Sequence, residues 1–556
     1  MRLSSVPVRS AVGIPLGLAT LSIVALAAFG LDLGRAALWD PGEGRYAQTV
    51  REMMTSGRWL VPTLNGAPYL DKPPAFFWLV AASFKLFGMH EWAARLPSAL
   101  AALGTLAATV RFAWWRLGPA TAIGAGVVLA TAGQFVVLGR SVRMDMALTM
   151  LLTLALFRAY ALWKGDDTDH TWPVYVLLAL GLLIKGPIAV LLPVLIMSAL
   201  TIVTGEYDRL ARLRPGPGVI LAVLVACIWY VPAAIWSPEY LGTFVWQQNV
   251  GRFLGASTGH PKPSWYFLWV LPVTFLPWAL FLPGALRHTI RRARRWHDLD
   301  LFLLCWLTLT VGFFSASSAK LATYVLPVFP PLALLVARYV ARAGAAGEVT
   351  RRRAFRFAGW IWAILAGTVA IGAPLAAAVA LPDYAGQATA SLLLLPIVGS
   401  AILAFRRGNW LAAPVAIAIG SLALQTLFYR VAAPVVDDFA SLRRPAQLAQ
   451  ALPDDTVMFV YKTRGHSFAF YDGRRLTRER SPDATAARLN APAPAAVLTK
   501  VKYLDKLRGH LTRPACIWWR GASGRVLLTN VPSDTIPDAH SLVPAGWDLS
   551  TDQPPC

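Results

Sequence analysis

The sequence predicts a polytopic α-helical membrane protein of about thirteen spans, followed by a small α/β domain outside the membrane. Three observations predict it. The 556-residue chain is 56% hydrophobic and only 15% charged, whereas a soluble domain of that length carries about 25% charged residues. Its apolar residues fall in repeated runs of about 20, the length that crosses a hydrocarbon core. From about Pro434 the pattern changes to short β-type runs separated by Gly, Pro and Asp.

The first span, near 12–33, follows Arg2 and Arg9. It exceeds the apolar core of a cleaved signal peptide, so an uncleaved helix starting in the cytoplasm is expected. Further spans are placed near 93–113, 119–138, 145–163, 172–184, 187–204, 218–236, 265–285, 300–317, 321–340, 357–381, 388–405 and 411–431. From a cytoplasmic start, the connections near 111–118, 205–217, 286–299, 341–356 and 406–410 fall inside, and all carry Arg. That is the positive-inside pattern. It accounts for the net charge of +23 better than nucleic-acid binding does, because the Arg clusters are short inter-helix loops facing anionic lipid. The opposite connections hold most of the carboxylates, with Lys72, Lys185, His260 and Lys320.

Three parts follow from this threading: a membrane domain over 1–433, a long first outer loop over 34–92 within it, and an outer α/β domain over 434–556. In the loop, "RYAQTVREMMTSGRW" puts Tyr46, Val50, Met53 and Met54 on one helical face, which suits an interfacial helix. "KPPAFFWLVAASFKLFG" is short for a span and reads as a juxtamembrane or re-entrant helix. In the tail, "TVMFVYK", "HSFAFYDG", "AAVLTKV" and "RVLLTNV" read as strands. Four cysteines are too few for a disulfide scaffold. Cys227 and Cys305 lie in apolar runs, while Cys516 and Cys556 could pair if the tail is outside. No internal repeat marks the paired halves of a secondary transporter.

The chemistry-bearing residues converge. Asp40, Glu43, Arg45, Asp71, Lys72, Arg140, Arg143, Asp145, Lys185, Arg252, His260 and Lys320 all thread to outer helix ends or outer loops. Carboxylates ringed by cations beside lipid suit a substrate with a phosphate headgroup and an apolar tail. Cations bind the phosphate and stabilise it as a leaving group, and a carboxylate orients or deprotonates an acceptor. Each residue also has a plainer role open to it. Lys72 could cap the Asp71 loop, and Asp145 could be an acid at a helix N-terminus. Lys185 could snorkel, His260 could be a loop histidine, and Lys320 and Tyr324 could anchor the interface. No Walker loop or dinucleotide fingerprint competes, which favours an activated lipid over a nucleotide sugar as donor.

The stretch "LWDPGEGRYAQTVREMMTSGRWLVPTLNGAPYLDKPPAFFWLVAASFKLFG" resembles the first periplasmic loop of bacterial GT-C glycosyltransferases. More narrowly it is similar to the ArnT-type aminoarabinose transferases of lipid A and the related protein mannosyltransferase-like group. The likeness continues through "RMDM", "LLIKGPIAVLLP" and "SAKLATYVLPVFP", over most of 35–335. The resemblance implies a GT-C fold in the bacterial inner membrane, with the small domain in the periplasm. It also implies inverting transfer of a hexosyl or pentosyl group from a polyprenyl (undecaprenyl) phosphate donor. Lipid A or another envelope glycolipid is the leading acceptor and protein hydroxyls the second; a transporter or a non-catalytic assembly protein are readings of another class. By position, Lys72 would contact the donor phosphate, Asp145 would be an active-site acid and Arg45 would support the first-loop carboxylates. Lys185, Arg252, Lys320 and Tyr324 fall among the substrate-binding groups. Members of the aminoarabinose group can hold a divalent metal (Zn or Mg), for which Asp71 and His260 are the nearest equivalents; two ligands alone define no metal site.

The first loop departs from the family. The usual Pro-Asp-Glu-x-Arg is here Pro41-Gly42-Glu43-Gly44-Arg45, so Gly42 replaces the leading acid. Three readings follow: Asp40 or Glu43 takes over that role, the acceptor needs no base, or the protein is impaired. An acceptor phosphate is already ionised at neutral pH and demands less of a base than a hydroxyl does.

Overall fold

The computed structural model describes residues 9–166, 170–255, 261–295, 297–346, 349–409, 412–513 and 515–531. The chain divides into a helical unit, Met1–Leu33 with Leu70–Val431, and an α/β unit, Gly34–Tyr69 with Ala432–Cys556.

In the helical unit, helix occupies every stretch that hydropathy marks as a span. Among the described residues, eight helices are long and apolar enough to cross a membrane, or ten if each of two bent pairs is one span. The protein is thus a multi-pass membrane protein. Four shorter apolar helices accompany them: Ile14–Gly30, Ala75–Phe87, Trp172–Lys185 and Ile188–Thr204.

The helices pack through small residues, as expected where lipid removes most of the hydrophobic drive between them. A Cβ on Gly126 would lie 2.6 Å from Leu21, and one on Gly139 would lie 2.7 Å from Phe29. Buried aromatics fill the larger gaps; Phe112 stacks on Phe157 with centroids 4.0 Å apart.

The two bent pairs meet at their breaks. Pro119–Thr131 and Gly133–Gly139 turn by 67°, and Tyr266–Thr274 and Trp278–Ala293 turn by 111°. A kink frees backbone groups that lipid cannot satisfy. Here Gly133 N donates to Leu276 O at 3.0 Å, and Trp278 Nε1 donates to Thr131 Oγ1 at 2.9 Å. The two breaks thus lie against each other, one backbone and one side-chain hydrogen bond joining them.

A separate ionic cluster fixes the start of the Asp298–Ala316 helix. Asp300 is buried between Arg292, at 3.0 Å, and Arg338. Asp298 pairs with Arg209, at 3.2 Å, and Lys164.

In the α/β unit, strands β1 (Thr63–Leu64) and β2 (Ala67–Pro68) form a small antiparallel hairpin. Its turn is Asn65-Gly66, with φ of 53° and 77°, the left-handed pair that a tight hairpin requires. Glu52 fills the turn, accepting from Thr63 Oγ1 at 2.9 Å, Asn65 N at 2.6 Å and Gly66 N at 3.0 Å.

The larger sheet has the order β4 (Thr477–Glu479), β3 (Val457–Tyr461), β5 (Ala495–Lys500), β7 (Arg525–Thr529), β6 (Cys516–Arg520). Strands β4, β3 and β5 are parallel; β7 and β6 are antiparallel to their neighbours. One face packs Met458, Val460, Leu498 and Leu527 on Ala446, Phe468 and Ala469. The other packs Phe459, Tyr461, Val497 and Val526 on Leu489, Leu504 and Leu507.

One strand expectation is corrected. "HSFAFYDG" forms the helix His466–Asp472, whose Phe468 and Ala469 enter one core together. Its aromatic content favours a strand locally. Packing against the sheet and against the Gly42–Ser56 helix overrides that preference.

Candidate functional site

In the helical unit, helix ends bring the candidate groups together. Arg143 is extended at φ −145°, and the Met144–Lys164 helix starts after it with Asp145 in its first turn. Trp172–Lys185 stops at Gly186, whose φ of 96° suits only glycine. This places Lys185 Nζ 2.7 Å from Asp145 Oδ1, with both side chains largely buried. The same ammonium lies 5.2 Å from the centroid of the Tyr324 ring, and the Thr323 hydroxyl donates to Asp145. Asp145, Lys185 and Tyr324 therefore form one cluster.

Lys320 is buried, and its Nζ donates to Lys262 O at 3.0 Å and to Ser317 O. Asp71 and Lys72 stand half-buried in the turn before the Ala75–Phe87 helix. Arg252 opens the short turn Arg252–Leu254. His260 and Cys556 lie outside the described residues. Among the described residues no three His, Cys, Asp or Glu side chains gather where they could hold a metal.

Arg140 has a structural task. Its guanidinium donates to Ala28 O at 2.8 Å and Leu31 O at 2.7 Å, satisfying carbonyls at the end of the first helix. It also stacks on Tyr429, with Cζ 3.9 Å from the ring centroid.

In the α/β unit, the first-loop acids are held by other parts of the same unit. Asp40 accepts from Ser467 N at 3.0 Å and Ser467 Oγ at 2.7 Å. Its own N donates to Ala440 O at 3.0 Å, and the Asp40–Pro41 peptide is cis. Burial pushes the Asp40 carboxyl up to about 6, against the Ser467 hydrogen bonds and the nearby Arg525 and Arg464. Gly44 is required beside it, because a Cβ there would lie 2.6 Å from both Asp40 Oδ1 and Ser467 N.

Glu43 is buried, and its Oε2 accepts from Trp39 N at 3.3 Å. Trp39 is fixed in turn by Asp437, which accepts from its Nε1 at 2.7 Å and from Ala37 N at 2.9 Å. Arg45 lies over the Tyr46 and Tyr69 rings, 5.3 and 5.9 Å from their centroids.

Sequence reasoning missed His466, Ser467, Arg464 and Arg525. Burial, with Arg45, Arg464 and Arg478 nearby, pushes the His466 imidazole down to about 4. The available signal was "KTRGH" directly after an apolar β run, a basic loop at the end of a parallel strand.

The sequence profile of the family described as dolichyl-phosphate-mannose-protein mannosyltransferase matches residues 71–236, a stretch containing Asp71, Lys72, Asp145 and Lys185. The chain is 33% identical over 344 residues to the undecaprenyl phosphate-alpha-4-amino-4-deoxy-L-arabinose arabinosyl transferase of Aeromonas salmonicida, covering 60% of each chain. The same-named protein of Pectobacterium atrosepticum is 32% identical over 364 residues, 64% of each. The chain thus spans somewhat under two thirds of the length of these relatives. The crystal structure of ArnT from Cupriavidus metallidurans bound to undecaprenyl phosphate superposes with a TM-score of 0.78 at 24% identity, covering 93% of this chain and 98% of that one. An oligosaccharyltransferase from Archaeoglobus fulgidus superposes with a TM-score of 0.52 at 11% identity, over 88% and 69%. These structures share the GT-C fold with this chain, and the resemblance read from the sequence is borne out.

Proposed function

We propose that this chain is an inverting glycosyltransferase that moves a sugar from polyprenyl (undecaprenyl) phosphate to lipid A or another envelope glycolipid. The observation that carries this reading is the superposition over 93% of the chain on a transferase crystallised with undecaprenyl phosphate. The name shared by the 33%-identical relatives supports a pentosyl donor. The family profile over 71–236 keeps protein hydroxyls as the second acceptor class.

The eight long helices, the two bent pairs and three shorter helices, Ile14–Gly30, Trp172–Lys185 and Ile188–Thr204, make up the proposed thirteen spans. Ala75–Phe87 then lies along the interface. With Arg-bearing connections in the cytoplasm of a bacterial inner membrane, the Asp145–Lys185 cluster and the α/β unit are periplasmic.

An acceptor oxygen attacks the anomeric carbon on the face opposite the polyprenyl phosphate. The anomeric carbon–oxygen bond breaks, and its electron pair leaves on the phosphate. Lys72, Lys185, Arg252, Lys320 and Tyr324 are the groups assigned to that developing charge. Asp145 fixes Lys185 through their 2.7 Å contact. Both oxygens of Asp40 are engaged by Ser467, so we assign the acceptor-side acid to Glu43, with Arg45 supporting it. Any metal would involve Asp71 and His260, and none of the steps above uses one.

The test is mass spectrometry of envelope lipids from cells with and without the gene. A sugar-sized mass increment on lipid A is expected, and its absence from every envelope glycolipid would sink the acceptor assignment. An increment on secreted proteins instead would establish the second class.

A further inference from the structure

Beyond the groups assigned to transfer, the α/β unit gathers cations at one place. Strand β3 is followed by the His466–Asp472 helix and then β4 on one side. Strand β4 is followed by the Pro482–Asn490 helix and then β5 on the other side of β3. The two helices lie on opposite faces of the sheet, since Phe468 and Leu489 enter different cores. The chain therefore diverges between the carboxyl ends of β3 and β5, the crevice where open α/β sheets take their ligands.

The residues at that edge are basic, and strand geometry sets their direction. Side chains alternate along a strand. Val460, Leu498 and Leu527 share one face. Arg478 is the register partner of Val460. Lys500 lies two residues beyond Leu498, Arg525 two before Leu527, and the two are register partners. All three thus stand on the face of the His466–Asp472 helix. Arg464, in the loop after β3, and Arg525 are close enough to act on Asp40. Arg464, Arg478 and Arg45 are close enough to act on His466.

Among the described residues, nothing in the unit offsets this charge fully. Among the described residues, none of Arg464, Arg478, Lys500 and Arg525 forms an ion pair, and Nη1 of Arg525 is buried without a hydrogen-bond partner. Neighbouring carboxylates are engaged elsewhere: Glu479 pairs with Arg488 at 2.6 Å and Asp472 with Arg474 at 2.7 Å. Asp40, on which Arg464 and Arg525 act, is bound to Ser467.

We infer that this edge, with Arg464, Arg478, Lys500 and Arg525 around the carboxyl ends of β3 and β5, binds a phosphate monoester of the acceptor's headgroup. Guanidinium forks approaching from several strands suit a tetrahedral dianion, whose oxygens accept from several directions at once. Lysine adds charge without directional demand. The identity of the acceptor rests on the function proposed above; the anion site does not.

The test uses the full chain in detergent and native mass spectrometry, with lipid A, monophosphoryl lipid A and phosphatidylglycerol as separate probes. Arg464→Gln removes an exposed cation, and Arg464→Gln with Arg525→Gln removes two; melting temperature reports whether each variant folds. Lipid A retention should fall about tenfold in the double variant, monophosphoryl lipid A should bind more weakly than lipid A, and excess inorganic phosphate should compete. Phosphatidylglycerol retention should be unchanged. Equal loss of phosphatidylglycerol would replace the site with a general anionic-lipid surface, and unchanged lipid A retention in a folded Arg464→Gln protein and double variant would remove it. In transfer assays the acceptor KM should rise about tenfold, with donor KM and kcat held. If the wild type binds lipid A through these arginines yet transfers no sugar, the anion site stands and the transferase reading falls.

Discussion

Lys185 and Asp145 meet at 2.7 Å because one helix ends where another begins. The pair is largely withdrawn from solvent, so each charge depends on the other: removing one partner leaves an uncompensated buried ion. Lys185 is thereby pre-positioned before any phosphate arrives.

Asp145→Asn keeps the shape and an acceptor but removes the charge that holds Lys185, and Lys72→Ala removes a proposed phosphate contact. Each should lower transfer by about 10²-fold or more while protein levels in membranes persist. Radiolabelled-sugar transfer in isolated membranes measures this. Near-normal activity in both variants would discard the proposed site.

The two first-loop acids should separate. Glu43→Gln is expected to depress kcat, whereas Asp40→Asn retains an acceptor for Ser467 and should act mainly on stability. The comparison needs kcat and melting temperature on the same preparations. A lower kcat for Asp40→Asn than for Glu43→Gln would reverse the assignment.

Asp40 and His466 set opposing pH dependences. The folded Asp40 carboxyl titrates near 6 against 3.8 unfolded, so its protonation adds stability as pH falls through that window. The folded His466 imidazole titrates near 4 against 6.5 unfolded, so stability is lost as pH falls from 6.5 towards 4. Each effect is on the order of 3 kcal/mol, and their windows nearly coincide. The wild-type α/β unit should therefore show little net change in stability between pH 6.5 and 4. Asp40→Asn should become less stable on acidification and His466→Gln more stable, as followed by thermal unfolding across pH. Parallel slopes in both variants would refute the pairing.

Gly44→Ala forces a methyl to within 2.6 Å of Asp40 Oδ1 and a backbone nitrogen. A loss of about 1–3 kcal/mol is expected from overpacking. Proteolysis of the 34–69 segment should speed up accordingly, while Gly57→Ala, which meets no neighbour within 4 Å, should show only the smaller cost of its left-handed backbone.

Much of the helical unit was legible because hydropathy and positive charge act locally along the chain. The Asp145–Lys185 pair was half-legible: both residues sit at helix ends, and the threading put those ends on one side. What could not be read was which partner each group would choose. Arg140 looked like a site cation, but the carbonyls it bonds lie more than a hundred residues earlier. Asp40 and Ser467 are likewise brought together only by folding. "HSFAFYDG" misled for the same reason, since its local preference was overruled by a sheet and a helix distant in sequence.

The hydrogen bond from Gly133 to Leu276 also has a consequence for biosynthesis. The turn at Ala132 leaves the ribosome long before Leu276 exists. Until that later segment enters the bilayer, the freed amide has no partner there and continuous helix is favoured. The first bend is therefore completed by a late arrival, and this couples the shape of an early segment to the translation of one that follows four further hydrophobic passages.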